Sequence, residues 1–204
     1  MDHANVKLSK SELSLVTDAS FILTKNSIIT KVYGIFGQLS DEWQAYTAAK
    51  KDKLPAEVYM VSPKIYKGEQ YLGLPYVMLD YPRVYGVGNI MAIRCFFWWG
   101  NFFSITLHLQ GRFMLACADA LRAWVKQHAG NEWFIGVNND AWQHHFGENN
   151  YCSLDVMGED ILNDVLASDG GFVKLAKKLP LEQWDDAVQF FTKAYAELMQ
   201  VLEA

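Results

Sequence analysis

Arg94 carries the one formal charge in the most aromatic stretch of the chain, residues 90–109, which reads IMAIRCFFWWGNFFSITLHL. Runs of aromatic and β-branched residues are typical of strands. A guanidinium that is buried there without a partner costs several kcal/mol, so we expect an anionic group to meet it. Because the planar fork of arginine suits a carboxylate or a phosphate, Arg94 is the first candidate binding residue.

Two acidic residues are candidate partners of Arg94 within the chain. Asp80 lies on the strand that we predict before the aromatic stretch, and Glu132 lies on the strand that we predict after it. We favour an internal salt bridge with one of them, because buried charges are usually paired within the chain. The functional alternative is a bound carboxylate or phosphate ligand.

Aromatic residues are concentrated around Gly100 and between residues 66 and 85. Large aromatic side chains dominate ligand pockets and protein interfaces alike, so these regions are candidates for binding a small ligand or a protein partner. The structural alternative is an aromatic-rich core. Together with His108 of the aromatic stretch 90–109, the candidate binding residues are Asp80, Tyr85, Arg94 and Trp98.

No catalytic residue can be assigned from the sequence. A nucleophile and a base could come from Asp80, Cys95, Ser104, His108 and Asp140, but no nucleophile elbow, papain-like cysteine segment or paired-histidine helix is present. Ser104 and His108 share a face of one strand about 13 Å apart, at roughly 3.3 Å per residue, which is too far for a direct hydrogen bond. We therefore leave enzymatic activity open.

Neither a metal nor a cofactor is indicated. The nearest approach to a metal site is His144, His145, Glu148 and Cys152, but adjacent histidines on a helix point about 100° apart, and we predict a structural or incidental role. Gly86 and Gly88 begin a dinucleotide-binding pattern, but Met91 stands where its third glycine should be, and a strand follows instead of a helix.

A two-residue turn at Gly100-Asn101 is the expected centre of a long hairpin, because both residue types tolerate positive φ. This register sets Trp99 against Phe102 and Arg94 against Leu107. Side chains alternate between the faces of a strand, so one face becomes core-like apart from Arg94. That predicted core-like face consists of Ala92, Arg94, Phe96, Trp98, Phe103, Ile105, Leu107 and Leu109.

Helical patterns flank this hairpin on both sides. A capping box at Ser9 and Glu12 opens a helix to about residue 24, and Asn26 or Ser27 caps a second one with an apolar seam. A similar seam follows Pro180, and other helices are predicted at 113–128, 159–168 and 172–179. Further strands are predicted at 57–61, 76–81 and 132–137, with a tyrosine-containing loop between the first two.

This order of elements indicates a single α+β domain spanning residues 1–204, with an antiparallel sheet built around the hairpin and packed by N- and C-terminal helices. A mixed sheet is the alternative. The two seams, which include Phe36 and Trp43 in one and Phe191 and Tyr195 in the other, are expected to pack on the sheet, on each other or across a homodimer.

Composition limits the classes of partner. The net charge of −5 argues against nucleic acid and anionic membranes, and no apolar run reaches the length of a membrane span. Three cysteines without metal-like spacing are typical of reduced thiols, and the first residues lack a signal-peptide core, so we expect a cytoplasmic protein. We predict a binding module for a small anionic ligand or a protein partner, with an enzyme or a structural dimerising subunit as alternatives.

Overall fold

The computed structural model describes residues 6–50 and 53–203. The α-helices, in chain order, are α1 (Lys10–Thr17), α2 (Ala19–Ala49), α3 (Arg112–Ala116), α4 (Ala118–His128), α5 (Leu154–Ala167) and α6 (Ala187–Leu202). Short 3-10 helices cover Ala56–Met60 and Leu181–Asp186. The strands are β1 (Lys64–Tyr71), β2 (Leu74–Gly86), β3 (Asn89–Trp98), β4 (Phe102–Gln110), β5 (Phe134–Gly136), β6 (Tyr151–Ser153) and β7 (Phe172–Pro180). Residues 1–5, which begin the N-terminal stretch considered above, lie outside the described part.

The strands form one seven-stranded sheet in the order β1-β2-β3-β4-β7-β5-β6. Each pairing in the described part of the sheet is antiparallel, which confirms the predicted α+β class. The first four strands are neighbours in sequence and in space. The late strand β7 then inserts between β4 and the short pair β5 and β6, and this insertion brings residues from distant parts of the chain together.

The apolar seams of α2 and α6 are buried against each other and against the sheet, as the sequence predicts. The ring centroids of Phe36 and Phe191 are 5.6 Å apart in an edge-on arrangement, and Trp43 stacks on Tyr195 at 3.9 Å. Because both seams are buried within the chain, a homodimer through these helices would have to form through their remaining, exposed faces. It stays a prediction.

The register of the hairpin differs from the predicted one by a single residue. Trp98, rather than Trp99, pairs with Phe102, so the connection has three residues, and Gly100 within it adopts a φ of 71°. Three-residue hairpin loops with one residue at positive φ are a common class. Arg94 consequently lies opposite Thr106 instead of Leu107.

This shift moves half of the predicted core-like face to the other side of the sheet, because side chains alternate with a period of two. The face of β3 and β4 that packs on the helices carries Met91, Ile93, Cys95, Phe97, Phe103, Ile105, Leu107 and Leu109. The opposite face carries Ala92, Arg94, Phe96, Trp98, Phe102, Ser104, Thr106 and His108. Arg94 therefore points away from the main hydrophobic core.

The face of the sheet opposite the helices is covered by residues 137–150, which connect β5 to β6 and which we call the cover loop. The Tyr71 hydroxyl accepts hydrogen bonds from the backbone amides of His144 at 2.7 Å and His145 at 3.0 Å. Trp142 of the loop packs edge-on against the ring of His108 at 5.8 Å. The loop thus closes over polar side chains of the sheet.

Several predicted elements were wrong. The segment predicted as a helix at 172–179 is strand β7, where Val173 and Leu175 alternate with Lys174. The strand predicted at 57–61 is a 3-10 helix, and the predicted tyrosine-containing loop is mostly strand β1.

Element boundaries also differ. β2 continues beyond Pro82 to Gly86 through a shift in register, since proline lacks the amide that the ladder needs. The capping box of Ser9 and Glu12 is confirmed, but the break between the N-terminal helices lies at Asp18 instead of Asn26 or Ser27. Of the helices in the described ranges, none combines the length and apolar character needed to cross a membrane.

Candidate functional site

Strand pairing assembles polar side chains beneath the cover loop. His108 of β4 lies between Ala92 of β3 and Lys174 of β7, and directly opposed residues of this kind have Cβ atoms about 4.5–5.5 Å apart. In the next row of the sheet, Arg94 lies opposite Asp80 of β2. Four strands therefore bring a carboxylate, a guanidinium, an imidazole and an amine to one place.

Arg94 forms a salt bridge with Asp80, which is one of its two predicted partners. Arg94 Nε and Nη2 donate to Asp80 Oδ1 and Oδ2 at 2.7 and 2.9 Å, which is the bidentate arrangement. The hydroxyls of Tyr66 and Tyr85 each donate to Oδ2 at 3.2 Å. The other predicted partner, Glu132, is exposed and makes no hydrogen bond with Arg94 in the described part of the chain.

Burial and the Asp80 carboxylate together shift the pKa values of the groups around it. Burial opposes the charge of Arg94, but the hydrogen bonds and the negative charge of Asp80 outweigh burial and raise its pKa. Burial, with a further contribution from Asp80, also raises the pKa of Tyr66 and Tyr85. At neutral pH this part of the site therefore contains an arginine cation fixed by a carboxylate and two neutral tyrosines.

Lys174 is a buried amine without an anionic partner. Its exposed fraction is 2%, and its Nζ donates to the backbone carbonyl of Gln143 in the cover loop. Nζ also lies 4.8 Å from the ring centroid of Tyr151, and no salt bridge of Lys174 is found among the described residues. Burial and then the charge of Arg94 lower the pKa of Lys174 to about 7, although Asp140 opposes them. A lysine that is partly neutral at physiological pH is a feature of functional sites.

His108 contributes an unused hydrogen-bonding group. Its exposed fraction is 7%, and within the described part of the chain its buried Nε2 has no hydrogen-bond partner. Burial, together with the positive charges of Lys174 and Arg94, lowers the pKa of His108 to about 3. Buried polar atoms are almost always hydrogen-bonded, so a neutral imidazole with a free ring nitrogen requires an explanation.

A small cavity, which we call the basic cavity, lies between these side chains. Its volume is about 10 Å³, close to the space that one water molecule needs. Gly136 allows the Lys174 side chain to pack closely beside it, since a Cβ atom added there would lie 3.1 Å from Lys174 Cβ. The residues that line the cavity are Tyr85, Ala92, Arg94, Thr106, His108, Ala141, His144 and Lys174.

An open cleft reaches the Arg94 and Asp80 pair from the solvent side. Its volume is about 200 Å³, and it brings two further cations, Lys64 and Arg83, close to the basic cavity. Trp142 of the cover loop forms part of its wall, and its ring centroid lies 5.5 Å from Arg94 Cζ. The cavity is therefore separated from solvent by the cover loop and a few side chains.

The structure places four of the five predicted binding residues around the basic cavity and one apart. Tyr85, Arg94 and His108 line the cavity, and Asp80 holds Arg94. Trp98 belongs instead to an aromatic cluster farther along the same face, where its ring lies 5.2 Å from that of Tyr71.

Sequence reasoning missed Lys174 and His144. The predicted helix at 172–179 separates Lys174 from the site, although the place of Lys174 between Val173 and Leu175 also fits a strand buried on both faces. The sequence predicts a structural or incidental role for His144 and does not indicate that it lines the cavity, where its Nε2 lies 3.4 Å from Arg94 Nη1. Burial and the charge of Arg94 hold the pKa of His144 well below its usual value.

The other candidates for catalysis are less well placed. Cys95 is buried on the helix side of the sheet, and burial raises the pKa of its thiol, which disfavours the reactive thiolate. Ser104 lies on the covered face but does not line the basic cavity. Within the described ranges, no group of three or more histidine, cysteine and acidic residues is arranged to hold a metal ion.

Lys174 is expected to make the protein more stable as the pH rises above neutrality. Unfolded lysine releases its proton near pH 10.5 and folded Lys174 near pH 7, so the unfolded state binds more protons within this window. Relative to a Lys174→Met variant, the wild-type protein should gain about 2 kcal/mol in free energy of unfolding between pH 7 and 9. Urea denaturation at both values measures this gain. An equal change in the free energy of unfolding between pH 7 and 9 in the two proteins would contradict this prediction.

Comparison with protein-family models, with curated proteins and with solved structures finds no match for this chain.

Proposed function

We propose that the protein binds a small organic anion in the basic cavity, between the sheet and the cover loop. The observation that carries this proposal is the combination of a buried lysine that lacks a carboxylate partner with a buried His108 Nε2 that lacks a hydrogen-bond partner. A bound anion would supply an acceptor for the amine of Lys174. A polar group of the same ligand would satisfy the imidazole, which removes the cost of leaving it unpaired.

The distribution of charge supports an anion. The described residues that line the basic cavity and its open cleft include the cations Lys64, Arg83 and Arg94 and the partly protonated Lys174, but only one carboxylate, Asp80. This excess of positive charge occurs in a protein whose formal net charge is −5. Positive charge concentrated in a partly buried site attracts anions and strengthens their binding.

Entry of a ligand requires the cover loop to move, because the cavity is too small for anything larger than water. The polar attachments of the loop described above are few: two amides on the Tyr71 hydroxyl, the Gln143 carbonyl on Lys174, and His144 Nε2 on Arg94 Nη1. A ligand carboxylate could replace the Gln143 carbonyl as the acceptor for Lys174. Loops over binding sites commonly open in this way.

A small ligand is favoured over a protein partner because the aromatic cluster near Trp98 is largely covered. Trp98 is 7% exposed, and Phe96 beside it is 1% exposed. An interface hot spot needs aromatic side chains that a partner can reach. Among the described residues of this face, the polar site combines an unpaired His108 Nε2 with a buried lysine that has one acceptor, whereas the aromatic cluster is packed and has one unpaired buried polar atom, Trp98 Nε1.

Binding can be tested with simple anions and matched lysine variants. Isothermal titration calorimetry with oxalate, pyruvate and phosphate at pH 7 should detect binding of at least one anion to the wild-type protein. The Lys174→Met variant should bind it at least tenfold more weakly, a loss of about 1.4 kcal/mol. Lys178→Met is the control, because Lys178 lies on the same strand and the same face but is exposed.

The proposal fails if no anion binds, or if the variants Lys174→Met and Lys178→Met weaken binding equally. Native mass spectrometry of the freshly purified protein provides an independent measurement. A retained small molecule that is lost from the Lys174→Met protein would support the same site.

A further inference from the structure

The amine of Lys174 has an environment that suits a nucleophile better than a structural cation. A lysine ammonium has three donors, yet within the described residues Nζ has one hydrogen-bond acceptor, the Gln143 carbonyl. A neutral amine needs fewer acceptors and keeps a lone pair. That lone pair is available at the wall of the basic cavity, which Lys174 lines together with Arg94 and His108.

We propose that Lys174 captures a small carbonyl compound that also carries a carboxylate, such as a 2-oxo acid, as an imine. This inference rests on the proposed anion site and names the class of its ligand. In this arrangement the cavity face of Arg94 binds the carboxylate, while Lys174 Nζ reaches the adjacent carbonyl carbon. Arg94 is already oriented for this role by its bidentate contact with Asp80.

The reaction balances without a further reagent. The lone pair of Nζ attacks the carbonyl carbon, a C–N bond forms, and the carbonyl oxygen takes a proton from the amine to give a carbinolamine. The hydroxyl then leaves as water with the second amine proton, and a C=N bond remains. Neutral amine and carbonyl compound thus give imine and water, with no change in oxidation state.

The neighbours of Lys174 provide what this step requires. Burial and the charge of Arg94 lower the pKa of Lys174 to about 7, so a large share of the amine is neutral at physiological pH. His108, the direct neighbour of Lys174 across the strands, is also neutral because burial lowers its pKa to about 3. Its Nε2, which has no hydrogen-bond partner in the described part of the chain, can accept a hydrogen bond from the amine or from the carbinolamine hydroxyl.

Trapping with borohydride tests the proposal on the full-length protein. Incubation with pyruvate at pH 7, followed by sodium borohydride, should reduce the imine to a stable secondary amine. The intact mass should then increase by the mass of pyruvic acid less one oxygen atom, and peptide mapping should place the adduct on residue 174. The Lys174→Arg variant should lose this adduct, and the Lys178→Arg variant should retain it.

The outcomes separate this inference from the proposed function. Oxalate has no ketone and cannot form an imine. If Lys174→Met weakens oxalate binding but the wild-type protein forms no pyruvate adduct, imine formation is overturned and the anion site stands. An adduct spread evenly over several lysines would also overturn it. Equal labelling by pyruvate and by acetone would overturn the requirement for a carboxylate. The map of the wild-type adduct decides the question even if a variant fails to fold.

Discussion

Replacing Phe191 with alanine is expected to lower the free energy of unfolding by about 3 to 5 kcal/mol. Phe191 of α6 is 0% exposed, and its ring contacts those of Phe36 on α2 and Phe103 on β4. The side chain therefore joins the two long helices to the sheet. Its truncation removes apolar burial and leaves a cavity that these rigid neighbours can fill only in part. Urea denaturation with an unchanged m-value measures the effect.

A phenylalanine on the exposed part of α2 provides the matched control. Phe21 also lies in a helix, but it is 47% exposed and precedes the buried seam. Its replacement by alanine should change the free energy of unfolding by no more than about 0.5 kcal/mol. If Phe191→Ala destabilised the protein no more than Phe21→Ala, the seam of α6 could not be packed on the sheet as described.

The helical seams could be predicted because helical spacing reports burial directly. Apolar residues at intervals of three and four in α2 and α6 identify the buried side of each helix, and Phe36 and Phe191 meet there. The α+β class followed from the same patterns. These predictions needed only the local order of residue types, which the sequence contains in full.

The hairpin register could not be predicted, because both faces of β3 and β4 are buried. A register is strongly specified when one face is polar and the other apolar, since a one-residue shift would then expose the core. Here the one-residue shift places Thr106 instead of Leu107 opposite Arg94. Both residues are buried, so burial does not distinguish the two registers. Gly100 fits a loop of two or three residues equally well.

The position of β7 shows a second limit. Its sequence, FVKLAKKLP, satisfies a helical and a strand period about equally, and its lysines resemble the end of a helix. Only the pairing of β7 with β4 and β5 distinguishes the two. This pairing is a long-range contact, so the sequence pattern did not reveal that Lys174 joins the site of Arg94.

The salt bridge itself was accessible to sequence reasoning, because β2 and β3 are neighbouring strands joined by a short turn. Asp80 and Arg94 are directly opposed in this pair. The expectation that a buried arginine must meet an anion holds on either face of the sheet. The structure therefore pairs Arg94 with Asp80, one of the two candidate partners, even though Arg94 lies on the opposite face from the one expected.

The Asp80→Asn substitution is expected to cost about 3 to 5 kcal/mol of stability, because it leaves a buried guanidinium without its counter-charge. The side chains of Arg94 and Asp80 are 12% and 4% exposed, so solvent can compensate little. The exposed salt bridge between Arg122 and Asp119 is the control, and Asp119→Asn should change stability little.

The double variant Asp80→Asn with Arg94→Met tests whether the charge itself causes the loss. The asparagine oxygen can still accept from the hydroxyls of Tyr66 and Tyr85, while methionine removes the buried cation. The double variant should therefore be more stable than Asp80→Asn alone. With the single Arg94→Met variant measured as well, the loss in the double variant should be smaller than the sum of the two single losses by at least about 1 kcal/mol. Additive losses would show that Arg94 and Asp80 act independently. A cost for Asp80→Asn no larger than that of Asp119→Asn would contradict the buried pair around which the candidate site is built.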